Sequence, residues 1–136
     1  MKFRHHGIEV ELPDLWWAEA GMGAFVRNSN AYHVSQDNAE NRVFYVQIDD
    51  VGPVHRSAGV GIFNDSPDEG SARTRVVRIL RGFGLGDAIP PVRVVEGILE
   101  GPHQYKLVHG THRLYCSLAA GFTHIPAVRG FDLNKS

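Results

Sequence analysis

The 136-residue chain contains one cysteine, Cys116, and lacks any run of about 20 apolar residues of the kind that crosses a bilayer. A single cysteine cannot form an intrachain disulfide, which excludes a disulfide-stapled secreted scaffold. Residues 1–7 also lack the apolar core of a signal peptide. We therefore expect a cytoplasmic protein with no membrane partner, in which Cys116 serves as a small packing residue.

The chain also lacks an excess of charge of either sign. Fifteen acidic residues balance fourteen basic ones, giving a formal net charge of −1. A free-standing, non-specific DNA binder usually has a large basic excess, because neutralising phosphates supplies most of its affinity. The balance argues against direct DNA binding by the whole surface, and any anion-binding site must be local.

The length and the 43% hydrophobic content are typical of one domain with a sizeable core, which we assign to residues 1–136. Apolar periodicity predicts a helix between about Ser66 and Phe83, with Ser71 as an alternative start, and a second helix from about His112 to Ala120. Alternation and β-branched residues predict strands at 8–12, 43–48, 92–95, 104–108 and 125–128. The predicted fold class is α+β, with a small mixed β-sheet and packed helices.

Residues 1–42 form an amino-terminal extension to which the sequence assigns no role. A short helical turn is predicted at 15–20, where we expect one of Trp16 and Trp17 to be buried and the other partly exposed. Residues 28–41 are rich in Asn, Ser, Asp and Gln, which predicts an exposed loop.

The segment from Tyr105 to Arg113 is the main candidate site. A predicted strand runs into Gly110, and a helix begins two residues later. The N–H groups of a first helical turn lack intrahelical partners, and the helix dipole adds positive charge there, so this turn is suited to phosphate. Gly110 allows close approach of the backbone, Thr111 is expected to cap the helix, and Arg113 offers a bidentate fork.

The two histidines of this segment, His109 and His112, are candidate proton carriers near neutral pH. The alternative is an ordinary strand-to-helix turn, with Thr111 as its cap and Arg113 solvated. The histidine spacing straddles the turn instead of following one helical face, so we predict no zinc site. Three candidate ligands for a nucleotide-bound Mg²⁺ are Asp49, Asp50 and Asp65.

Several motifs in residues 51–128 resemble the ParB/sulfiredoxin superfamily. They are Ile89-Pro90-Pro91-Val92, the strand before Gly110, the pair His112-Arg113, and the stretch from Gly121 through Ile125-Pro126 to Val128. Val54-His55-Arg56 resembles the upstream element whose arginine faces the nucleotide loop in that family. The resemblance implies a superfamily core at 43–130 and a nucleotide bound by Gly110, Thr111, His112, Arg113 and Arg56.

Departures from the family pattern select among its branches. The CTP-gripping run of ParB proteins is replaced by a sequence in which Tyr115 stands at an arginine position. Thr111 stands where sulfiredoxin has its attacking cysteine, which excludes sulfinic acid repair by that mechanism. The loop is closer to that of free serine kinases, although His109 replaces their acidic residue.

The resemblance therefore implies a domain that binds ATP or another nucleotide, with Mg²⁺, and favours an ATP-dependent phosphotransferase or hydrolase. Arg113 and Arg56 would stabilise phosphate charge, and His112 or His109 would carry the proton. Two alternatives stay open: a non-catalytic ParB-type module acting on DNA through a partner or dimer, and a NAD-consuming toxin. The stripe Arg75, Arg78 and Arg81 is interpreted as a solvated helix face, with phosphate contact as the alternative.

Overall fold

A computed structural model describes residues 1–35, 42–53, 71–96 and 104–130. The strands are β1 (Lys2–His5), β2 (Ile8–Glu11), β3 (Phe44–Gln47), β4 (Val92–Glu96), β5 (Tyr105–His109) and β6 (His124–Arg129). The helices are α1 (Asp14–Glu19), α2 (Ser71–Leu85) and α3 (Thr111–Ala120), and short 3-10 turns occupy Met22–Ala24 and Ile48–Asp50. The predicted helices and strands in these ranges agree with the observed ones to within a few residues.

Four strands form the mixed sheet, in the order β3-β6-β4-β5. β6 pairs antiparallel with β3 and parallel with β4, while β5 pairs antiparallel with β4. Residues Ile125 to Val128 of β6 are all buried, so the strand is covered on both of its faces. The expected α+β class with a mixed sheet is confirmed.

Helix α2 presents one apolar face to the core and packs against both α1 and α3. Val76, Val77, Leu80 and Phe83 are buried on that face, at the spacing that the sequence predicts. The helix ends at Leu85, two residues beyond the predicted end, where Gly86 adopts a φ of 75°. Residues 66–70, which include the predicted earlier start, lie outside the described residues.

The amino-terminal segment belongs to the same buried core as the sheet. β1 and β2 form an antiparallel hairpin around His6 and Gly7, whose positive φ angles of 50° and 84° make a tight reversal possible. Val10 and Tyr32 are buried together with core residues of α2 and β6. The predicted exposed loop at 28–41 is therefore wrong for Tyr32 and Val34, which are 3% and 7% exposed.

Two further contacts fix this segment in place. His5 is buried, and its Nε2 donates a hydrogen bond to the Ile48 carbonyl at 3.2 Å. Because Nε2 is the donor, Nδ1 accepts from the Tyr115 hydroxyl at 3.5 Å. In α1, Trp16 and Trp17 are both half-buried, so the expectation that one of them is partly exposed is met and the expectation that the other is buried is wrong. Across the described ranges, no helix has the length and apolarity needed to span a bilayer.

Candidate functional site

The turn between β5 and α3 is built around Gly110, which has a φ of 111°. A Cβ at this position would lie 2.6 Å from Cγ1 and 3.3 Å from Cα of Val92, on the neighbouring strand β4. Both the backbone conformation and the close approach therefore require glycine. The Leu114 N–H donates to the Gly110 carbonyl at 2.9 Å, so the helix begins directly after this residue.

Thr111 does not cap α3, and that prediction is wrong. It is the first residue of the helix, and the capping position is occupied by Gly110, whose lack of a side chain leaves no side-chain capping bond. Gly110 thus supplies no side-chain acceptor to the N–H groups at the start of α3.

Arg113 is held by backbone oxygens. Its Nη1 donates to the carbonyls of Pro91 at 2.7 Å and Pro90 at 3.1 Å. The side chain is partly buried, and this burial lowers the pKa of the guanidinium. The solvated Arg113 of the alternative interpretation is not observed, because its guanidinium binds the carbonyls of the Pro90–Pro91 segment.

An open cleft of about 1130 Å³ lies where α2, β4 and the β5–α3 turn meet. Four arginines line it: Arg75, Arg78, Arg93 and Arg113. Asp87 is the one carboxylate among the described lining residues. Within the described part of the chain, none of these arginines forms an ion pair with a carboxylate. The cleft is therefore strongly cationic although the whole chain is nearly neutral.

The three arginines spaced three residues apart on α2, Arg75, Arg78 and Arg81, do not all face the cleft. Arg75 and Arg78 are exposed and line the cleft. Arg81 lies about 120° around the helix from Arg75, and its Nη2 donates to the Glu19 carbonyl at 3.0 Å. The stripe thus contributes two arginines to the cleft and one to the contact between α2 and α1.

The structure brings most of the predicted site residues together. His109, Gly110, Thr111, His112 and Arg113 all line the cleft. His109 is exposed at the end of β5, and His112 is half-buried in the first turn of α3. Arg56, with the rest of Val54-His55-Arg56, lies outside the described residues.

Two neighbouring α3 residues are excluded from the site. Tyr115 and Cys116 are both fully buried in the core. Burial raises the pKa of the Cys116 thiol far above its ordinary value, so the group stays protonated. The predicted packing role of Cys116 is confirmed.

A second hollow, of about 770 Å³, adjoins the cleft and has an aromatic lining. Its rings belong to Phe25, Tyr32, Tyr45, Phe83 and Phe122. Sequence reasoning assigned no site to this region, because the five rings come from four separate segments of the chain. Two of the rings, Phe25 and Tyr32, lie in residues 1–42, to which the sequence assigned no role. The alternation of the strand at 44–47, which turns Tyr45 away from the buried Val46, is the one local signal that points to it.

The acidic residues offer little for a resident metal ion. Among the residues that the structure describes, no three His, Cys, Asp or Glu side chains are placed to hold one. Asp49 and Asp50 do not line the cleft, and Asp65 lies outside the described residues.

No family model, curated protein or solved structure matches the chain. The resemblance to the ParB/sulfiredoxin superfamily therefore stays a prediction. A function has to be argued from the chemistry of the cleft and of its neighbouring hollow.

Proposed function

We propose that the cleft binds the phosphates of a nucleotide, with ATP as the first candidate. The observation that carries the proposal is the meeting of Arg75, Arg78, Arg93 and Arg113 in one cleft, where Asp87 is the one carboxylate among the lining residues that the structure describes. Guanidinium groups pair with phosphate oxygens in planar, bidentate hydrogen bonds and stay charged at all physiological pH values. Because these arginines form no ion pair with a carboxylate of the described residues, the cleft favours a polyanionic ligand over a neutral one.

The start of α3 would hold one phosphate. The capping position of α3 is held by Gly110, which has no side chain, and the helix dipole adds positive charge at this end of the helix. Gly110 lets a phosphate oxygen approach the backbone without meeting a side chain. Arg75 and Arg78, which are exposed, would contact the outer phosphates.

Phosphoryl transfer is the reaction that this arrangement would support. An acceptor hydroxyl or water attacks the terminal phosphorus, the new O–P bond forms, and the bond to the bridging oxygen breaks so that ADP leaves. The imidazole of His112 or His109 takes the proton of the attacking oxygen. Replacing the responsible histidine with Asn would lower phosphate release by about 10²-fold to 10⁴-fold while leaving nucleotide affinity unchanged.

The binding proposal is tested by calorimetric titration of the full chain with ATP, with and without Mg²⁺. We expect Arg75→Ala and Arg78→Ala each to weaken binding about tenfold, the usual effect of removing one charged hydrogen-bond donor. Arg81→Ala is the matched control, because it removes the same charge from the same helix outside the cleft. Its affinity should stay within about twofold of the wild type at physiological salt, where remote charges are screened.

Wild-type affinity in the double variant Arg75→Ala/Arg78→Ala would overturn the proposal. Binding to duplex DNA that weakens steeply with salt and depends on the same arginines, without any nucleotide binding, would instead assign the cleft to a DNA backbone. Arg113→Ala is a poor first test, because its loss also releases the Pro90–Pro91 segment.

A further inference from the structure

The aromatic hollow has a rigid floor. Tyr32 stacks on Phe83 with ring centroids 5.4 Å apart, and Phe83 meets Phe122 edge-to-face at 5.2 Å. These three rings are less than 10% exposed, so their positions are fixed by the core. Tyr45, by contrast, is 55% exposed, which leaves its ring accessible at the wall of the hollow.

The hollow adjoins the arginine cleft. Gly82 and Asp87 line both cavities, and the Asp87 N–H donates to the Gly82 carbonyl at 2.9 Å. Asp87 thus stands at the boundary between a cationic cleft and an aromatic hollow.

We propose that the hollow receives the base of a ribonucleotide whose phosphates lie in the cleft, with the Asp87 carboxylate accepting hydrogen bonds from the ribose hydroxyls. This inference rests on the proposed phosphate site. A volume of about 770 Å³ is ample for a base. Stacking on aromatic rings is the interaction that every base can make.

The position of the acid supports a sugar contact at Asp87. An ionised carboxylate only accepts hydrogen bonds, and it repels phosphate. Placed between the two cavities, it is suited to the neutral donors that join a base to its phosphates, which are the ribose hydroxyls. Carboxylates bind ribose hydroxyls in this way in other nucleotide sites.

The test compares tripolyphosphate with ATP and CTP and with their 2′-deoxy forms, by calorimetric titration of the full chain. Tyr45→Ala should weaken ATP binding about tenfold, a typical loss for removing one stacking ring, and leave tripolyphosphate binding unchanged. Tyr45→Phe keeps the ring and should bind ATP like the wild type. Because Tyr45 is exposed, neither change should disturb folding.

Asp87→Asn should change the binding of the ribose and the binding of the phosphates in opposite directions. The wild type should prefer ATP to 2′-deoxyATP by about tenfold, and the variant should lose this preference because an amide forms a weaker, uncharged hydrogen bond. The same variant should bind tripolyphosphate at least as tightly as the wild type, since one negative charge has left the cleft. A merely structural role for Asp87 would weaken all ligands alike.

The outcomes separate the two proposals. If Arg75→Ala weakens tripolyphosphate and ATP alike, while Tyr45→Ala and Asp87→Asn change neither ATP affinity nor ribose preference, the base site is wrong and the phosphate site stands. If the wild type binds neither tripolyphosphate nor any of the nucleotides, both proposals are wrong.

Discussion

Tyr32 and Arg113 donate hydrogen bonds to the same oxygen atom, the carbonyl of Pro90, at 2.7 Å and 3.1 Å. Tyr32 belongs to the wall of the aromatic hollow, and Arg113 belongs to the cationic cleft. One backbone oxygen therefore ties together the amino-terminal segment, helix α3 and the segment that leads into β4. The two cavities share this support, and their relative position depends on it.

A double-mutant cycle tests the shared acceptor. Tyr32→Phe should lower the free energy of unfolding by about 1 kcal/mol, and Arg113→Met by about 2 kcal/mol, because Arg113 is charged and also bonds Pro91. The double variant should lose more than the sum, by at least about 0.5 kcal/mol, because the Pro90 carbonyl then has no donor left. Urea denaturation of the four proteins measures the coupling. Simple additivity would show that the two bonds act independently.

Gly110→Ala should be strongly destabilising. The substitution adds a Cβ at 2.6 Å from a Val92 methyl and places alanine at a φ of 111°. Backbone strain and overpacking together predict a loss of about 2–4 kcal/mol in the free energy of unfolding. Gly86→Ala is the control, since its φ of 75° is also positive but nothing lies within 4 Å of the added Cβ. It should lose only about 1–2 kcal/mol, and equal losses would contradict the steric part of the argument.

Stability should fall in alkaline solution. Burial raises the pKa of both the Cys116 thiol and the Tyr32 hydroxyl. In the unfolded chain these groups ionise with pKa values of about 8.5 and 10, so above those pH values the folded state holds more protons than the unfolded state. The free energy of unfolding should then decrease by as much as about 1.4 kcal/mol per pH unit for each group.

The two contributions can be separated by substitution. Urea midpoints between pH 7 and pH 11 should decline from about pH 9 in the wild type. Cys116→Ala should delay the decline, and Tyr32→Phe should flatten it above about pH 10. Curves that run parallel for all three proteins would show that other groups control the alkaline limit.

The Cys116 thiol should be inert in the folded protein. It is 0% exposed and protonated, whereas thiol reagents attack an accessible thiolate. An aromatic disulfide reagent should therefore label it only as fast as the chain opens, and labelling should become fast in denaturing urea. Rapid labelling of the native protein would require an open path to α3 that this fold does not provide.

Local sequence patterns were sufficient to predict the turn at Gly110 and every described strand except β1 (Lys2–His5), which was missed. Alternation before Gly110 and helical spacing after it predict the β5–α3 turn, because both periodicities are properties of neighbouring residues. The cap was misassigned to Thr111, since a glycine with positive φ can occupy the capping position without any side-chain bond.

The convergence of the site could not be predicted in the same way. Arg75, Arg78 and Arg93 meet at the cleft only because α2 packs against α3, whose first turn lies beside β4, and this packing joins residues distant in sequence. The burial of Tyr32 was hidden by its polar neighbours, since its partners Phe83 and Pro90 lie more than 50 residues away. The carboxylate of Asp87 is a candidate ligand-binding group because it lines both cavities, and no local sequence motif predicts that position.

The central position of β6 has a consequence for how the chain is made. Phe44 of β3 pairs with Ala127 of β6, and Val92 of β4 pairs with the same residue. During synthesis, both strands leave the ribosome before the strand that must lie between them. Until β6 emerges, the backbone groups that will pair with it stay unpaired, and the apolar side chains of β3 and β4 stay exposed. This delay makes folding slow and leaves the nascent chain prone to aggregation. A polypeptide interrupted before His124 would lack the strand that joins the two halves of its sheet, and it should be a substrate for chaperones and proteases.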